Sequence, residues 1–216
     1  MSEERKYWNS VIWSLIYMIL FSILTILTIY YLPKNVHMAG SIIGVVLIVV
    51  YCVVLPYKRE RLFLMGVLEL LAVMVLGVWI GGQLDLQGVI SIGAAISLVD
   101  ILSFTKYGKH TANAKAMSNV QFMARLIVYG KGKGDVLYPT RGIGDFTYYA
   151  IWIAGMGCVR KDLLAYSMAS AAIVLGTIVD CILIAKLRKK ETYKGFPATV
   201  LPFLCVMGCY GLFYYS

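Results

Sequence analysis

Seven stretches of this chain are predominantly apolar over 18 or more residues, and that constrains the fold more than any other feature. They lie at 7–32, 39–56, 62–81, 88–105, 142–159, 163–185 and 196–215. About 20 such residues cross the ~30 Å hydrocarbon layer as a single helix. A helix is the form they take there, because lipid offers no partner to a backbone N–H or C=O. The expected fold is therefore an all-α polytopic membrane protein with about seven transmembrane helices in one bundle. With 60% hydrophobic and 14% charged residues, the chain has too few charges to clothe a soluble domain. The first run is too long, and lacks the small-residue cleavage site, for a removable signal peptide, so it is expected to stay in the mature protein.

The basic residues orient the bundle. Of 20 lysines and arginines, all but Lys34, Arg160 and Lys161 fall at the amino terminus, at 58–61, in 106–141 or in 186–194. Seven spans place these four segments on one side, which the positive-inside rule makes the cytoplasm. The amino terminus is then inside and the carboxyl terminus outside, with the plasma or inner membrane as the location in a microbe. One helix more or fewer would scramble this asymmetry. The net charge of +9 does not point to nucleic acid, because there is no folded polar domain to carry a phosphate-binding face. Short basic segments between apolar runs set topology and attract anionic headgroups, so membrane lipid is the expected partner.

Metal and thiol chemistry find no footing. Cys52, Cys158, Cys181, Cys205 and Cys209 are scattered through apolar runs without CxxC spacing, and read as small packing residues. His37 and His110 form no HExxH pair, and no GxSxG element stands out. No metal and no cofactor is expected.

The chain reads as a single membrane domain in two parts. Residues 1–87 supply three amino-terminal scaffold helices, and 88–216 supply four helices around a cytoplasmic loop, 106–141. Within the loop, Phe122–Tyr129 is apolar but too short to cross, and suits the membrane interface. Gly130-Lys131-Gly132-Lys133-Gly134 reads as a flexible hinge, and the residues from Asp135 to Thr140 as a short strand.

Charged side chains inside spans are costly and usually face a polar interior. Four acids qualify: Glu69, Asp100, Asp145 and Asp180. Asp100 lies near the cytoplasmic end of the fourth span, and Asp145 at the cytoplasmic start of the fifth. Their depths match, so the return through the loop brings the carboxyls together. Two adjacent carboxyls share a proton, which lets one activate water as base while the other polarises a peptide carbonyl as acid. The glycines before Asp145 are expected to allow close backbone approach and unusual torsions. Asp180 reads as a helix-end acid answering Lys186 or Arg188.

The order of these elements resembles the presenilin and signal-peptide-peptidase family of intramembrane aspartyl proteases. In that family an aspartate in one span is followed by a long loop, GxGD opening the next span, one more helix, and Pro-Ala-Leu at the start of the last. The matching residues here are Asp100, then Gly142-Ile143-Gly144-Asp145, then Pro197-Ala198-Thr199, with Pro202 beyond. The resemblance covers roughly 88–216. It implies an aspartic endopeptidase with Asp100 and Asp145 as the catalytic pair and a transmembrane peptide or protein as substrate. Gly142, Gly144, Leu137, Tyr138, Pro197, Ala198 and Thr199 are then the substrate-binding residues, with Leu137–Thr140 pairing an unwound substrate as an added strand. Accessory subunits are left open.

Two positions depart from the family. Val99 replaces the usual tyrosine before the first aspartate, removing a hydroxyl, and Thr199 stands where the motif has leucine, so a leucine there is expected to be tolerated. The prolines are expected to loosen the start of the last helix. The charge distribution matches the presenilin orientation, and the chain looks like a trimmed version lacking amino-terminal helices of that family. Prepilin and preflagellin leader peptidases, which also carry a GxGD aspartate, are the nearest alternative in the same chemistry. Outside enzymes, the alternatives are a proton or cation transporter or channel using the four acids, and a catalytically silent scaffold.

Overall fold

A computed structural model describes residues 2–103, 105, 119–188 and 197–215. His110 and most of the first half of the 106–141 loop lie outside the described residues. The apolar runs fold as helices with boundaries within a few residues of the sequence pattern: α1 (Glu3–Tyr31), α2 (Lys34–Val49), α3 (Leu62–Gly81) and α4 (Leu86–Ser103). A short α5 (Val120–Arg125) precedes strands β1 (Ile127–Lys131) and β2 (Leu137–Gly142). Then come α6 (Ile143–Gly155), α7 (Leu163–Leu187) and α8 (Val200–Tyr215). Among the described residues, five helices are long and apolar enough to cross a membrane: α1, α2 with its π-helical extension to Val54, α3 with the preceding turn, α4, and α7. Large aliphatic side chains such as Ile43, Val53, Leu98 and Leu175 stand exposed along them, which is the outside of a protein made to face lipid.

The core is built round α6. Phe146, Tyr149, Ala150, Trp152 and Ile153 are all fully buried, with α1, α3, α4 and α7 packed round them. Close packing of α3 depends on two glycines one turn apart. A Cβ on Gly77 would sit 2.7 Å from the Thr147 carbonyl oxygen, and one on Gly81 would collide with the Ile151 carbonyl. Such small residues replace the hydrophobic drive that helices lack in lipid with close backbone contact. Because protein covers α6, it can carry Asp145, Thr147, Tyr148 and Tyr149 within 13 residues.

Several loop expectations are corrected. Among the described residues the regular elements are helices except for an antiparallel hairpin, in which Tyr129 pairs with Pro139, Gly130 with Tyr138 and Lys131 with Leu137. The strand expected at 135–140 is present as β2, but the glycine-lysine segment is no hinge. Gly130 and Lys131 belong to β1, and Gly134 takes φ +69° in the connecting turn, a torsion that glycine adopts without strain. The end of the Phe122–Tyr129 segment packs on Gly66 of α3, with Val128 and Tyr129 buried. Arg125 explains the anchoring. Its guanidinium donates to the carbonyls of Tyr51 (2.7 Å), Cys52 (2.9 Å) and Leu55 (2.8 Å), satisfying the carbonyls at the end of the π turn.

The charged groups segregate. Lys6, Arg59 and Arg188 gather with the hairpin at one end of the bundle, whereas Lys34 and Lys161 meet at a cavity lined by the carboxyl end of α3.

Candidate active site

Local rules place Asp145. Gly142 is the residue before the first turn of α6, with φ −68° and ψ 148°, and Asp145 is the third helical residue. From there its carboxyl lies beside Gly142, at the helix start where backbone amides are left unpaired. Neither glycine of GxGD has an unusual torsion, since among the described residues only Gly134 has positive φ. That part of the expectation fails. What the glycines leave is room: a Cβ on Gly144 would meet nothing within 4 Å, and one on Gly142 would meet only ordinary contacts from 3.7 Å.

Asp100 is half-buried near the end of α4. Its Oδ2 accepts both the Thr199 backbone N–H (3.0 Å) and the Thr199 hydroxyl (2.8 Å), just before α8 begins. The carboxylate therefore occupies the amino-terminal end of α8, where orphan donors and the helix dipole favour negative charge. Asp100 and Asp145 lie within electrostatic reach of each other, and Asp180 within reach of both. Among the described residues no hydrogen bond joins the Asp100 and Asp145 carboxyls; that of Asp100 is held by Thr199.

Asp180 is not a surface acid paired down its own helix. It is fully buried on α7, and its partner is the Arg141 guanidinium at 3.7 Å. Arg188 instead lies over the Tyr7 ring, 4.0 Å from its centroid. Arg141, likewise buried, also donates to the Tyr149 hydroxyl (3.0 Å) and the Ala198 carbonyl (3.3 Å). One side chain from β2 thus ties the hairpin to α6, α7 and the Pro197-Ala198-Thr199 segment. The sequence reading counted Arg141 only as a topology charge. Its position directly before GxGD, at a span boundary facing buried acids, was the available signal.

The third motif is firmer than expected. Pro197 is half-buried in the connection, and Pro202 sits in the first turn of α8, where a missing N–H costs nothing. The turn closes normally, Phe203 N–H donating to Thr199 O at 3.0 Å. Gly176 of α7 fits against this corner, since a Cβ there would lie 2.5 Å from Pro202 Cα.

Asp145, Arg141, Gly142 and Ala198 open on a cavity of about 370 Å³, closed on its far side by Tyr7, Ser10 and Ser14 of α1. A second cavity of about 500 Å³ runs along Leu137, Tyr138 and Pro139 and shares Tyr7, Ser10 and Pro139 with the first. Among the described residues the sheet consists of β1 and β2 alone. The first helix, assigned to the scaffold, therefore walls the site. Glu69 stands apart: fully buried on α3, it accepts a long contact from the Cys52 thiol at 3.8 Å. Among the described residues, no three His, Cys, Asp or Glu side chains form a metal-holding group.

Comparison with protein-family models, with curated proteins and with solved structures gives no match.

Proposed function

We propose that this chain is an intramembrane aspartyl endopeptidase of the presenilin and signal-peptide-peptidase type, with Asp100 and Asp145 as its catalytic pair. The observation that carries the reading is the meeting of three separate sequence elements. Asp100 of α4, Asp145 of the Gly-Ile-Gly-Asp turn and Thr199 of the Pro-Ala-Thr segment converge at one end of the bundle, beside a cavity. In this reading one carboxylate takes a proton from water as the oxygen attacks the scissile carbonyl, while the other carboxyl gives its proton to the carbonyl oxygen. Collapse of the resulting diol moves a proton to the departing amine and breaks the C–N bond. No covalent enzyme intermediate is required.

A substrate helix must unwind before its peptide bonds can be reached, and β2 runs beside two adjoining cavities, one of which opens on Asp145. Strand addition at Leu137–Thr140 would present an extended segment there, and the open space at Gly144 leaves room for its backbone. The proposed topology has seven crossings, with α6 and α8 as the shorter two, the hairpin end cytoplasmic and the carboxyl terminus outside. A 13-residue α6 is only about 20 Å long, which suits a helix enclosed by protein beneath a hairpin cap. Glu69 takes its contact from Cys52 and lines neither cavity of the candidate site, which weighs against a continuous acidic ion path.

The test is direct. Purified chain is incubated with a model single-span helix, with and without a transition-state analogue of aspartyl proteases, and products are read by mass spectrometry. Inhibitor-sensitive cuts within the span support the reading. Cuts confined to a soluble leader favour the leader-peptidase alternative, and ion flux in liposomes without cleavage favours transport.

A further inference from the structure

The bundle end opposite the hairpin carries few charges, yet two of them share one space. Lys34, at the start of α2, and Lys161, in the α6–α7 connection, line a cavity of about 400 Å³ together with His37 and Trp79. Both lysines are exposed, and among the described residues neither forms a salt bridge. The acids nearby are committed elsewhere. Asp162 pairs with Arg160 and caps α7 by accepting the Ala165 N–H at 2.8 Å, a bond that holds its carboxyl below the usual range. Asp85 accepts the Gly88 N–H at 2.8 Å. Neither acid lines the cavity. The third basic residue of this end, Arg160, lies over the Phe213 ring at 5.5 Å.

Two cations facing one space repel each other until an anion sits between them. The site offers further donors of the same sign: α2 starts at Pro33 with no side-chain cap, so its first amides keep their partial positive charge. His37 is buried and meets the Thr28 carbonyl through Nε2 at 3.1 Å, which assigns that nitrogen the proton and makes the ring a fixed wall. The remaining lining is apolar, with Ile29, Leu32, Val78 and Leu84 at the ends of α1 and α3. An apolar wall meeting a pair of lysines at the ends of membrane-length helices matches a molecule with acyl chains and a charged head. The lysines also oppose the charge bias that orients the chain, so topology does not account for them.

We infer that this cavity is a phosphate-binding site whose ligand is the headgroup of an anionic phospholipid. The inference is independent of the protease reading. It is tested on the purified full chain in detergent, by tryptophan fluorescence from Trp79 and by native mass spectrometry. The probes are short-chain phosphatidylglycerol, short-chain phosphatidylcholine and inorganic phosphate. Phosphatidylglycerol should bind saturably, weaken at least about tenfold in Lys34→Gln/Lys161→Gln, and bind normally to Lys34→Arg/Lys161→Arg. Circular dichroism controls for folding of both variants. Equal binding of phosphatidylcholine, or unchanged phosphatidylglycerol binding in the glutamine variant, overturns the inference. Saturation by inorganic phosphate with no response to the lipid overturns the lipid assignment in favour of a free phosphate.

Discussion

Thr199 holds Asp100 twice through one oxygen, its backbone N–H and its hydroxyl both donating to Oδ2. The hydroxyl that the family pattern would supply from the residue before the first aspartate is absent at Val99, and here a hydroxyl reaches the carboxylate from α8 instead. Leucine at 199, which the motif comparison makes acceptable, would keep the amide bond and lose the hydroxyl. A hydrogen bond to a charged group contributes about 1.5–3 kcal/mol. Thr199→Val and Thr199→Leu are therefore expected to cut cleavage of a model helix about tenfold or more, while Thr199→Ser keeps most of the rate. Equal rates in all three would remove Thr199 from the site.

Asp100→Asn and Asp145→Asn should each abolish cleavage, because either leaves no acid-and-base pair. Cleavage by the unaltered chain should follow a bell-shaped pH curve, its limits belonging to the coupled pair. Product assays on protein free of contaminating protease decide this.

Asp180 and Arg141 behave differently, because their pairing is structural. Asp180→Asn retains a polar partner for the guanidinium and should keep most of the rate. Asp180→Leu strands a buried cation, and should cost about 3–5 kcal/mol in a denaturation assay. A dead Asp180→Asn beside an active Asp100→Asn would move the catalytic pair to α7.

Gly144 separates substrate fit from folding. With open space at its Cβ position, Gly144→Ala should change stability by less than about 1 kcal/mol. Reduced cleavage at unchanged melting temperature would mark that space as the path of a substrate backbone. Gly176→Ala should do the reverse first, destabilising by about 1–3 kcal/mol as it pushes against Pro202.

The run of β2 beside the two cavities gives the remaining test. Proline at Leu137 and Tyr138 removes two backbone donors from the strand, and cleavage of the model helix should fall several-fold. An unchanged rate would mean that substrate does not pair there.

The helices were legible because lipid demands long apolar runs, and the helices begin and end within a few residues of those runs. The motif residues were legible as elements in order. What the sequence hid were partnerships between distant residues and the part of the hairpin that does not look like a strand. Gly130 and Lys131 sit in a segment whose composition signals a hinge, yet pairing with Tyr138 and Leu137 overrides that signal. Asp180 was matched with the nearest lysine and arginine on its own helix, whereas its partner arrives from β2. Nor could the sequence give the two glycines of Gly142-Ile143-Gly144 their meaning, because open space is a property of the surrounding chain.

The enclosure of α6 bears on how the protein is made. With 13 residues, α6 is shorter than the five helices that, among the described residues, are long and apolar enough to cross a membrane by themselves. A translocation channel sorting segments one at a time by hydrophobicity would hold this one poorly. Its seat is the groove opened by Gly77 and Gly81 on α3, a segment synthesised earlier, so the surface that receives α6 is already made when α6 emerges.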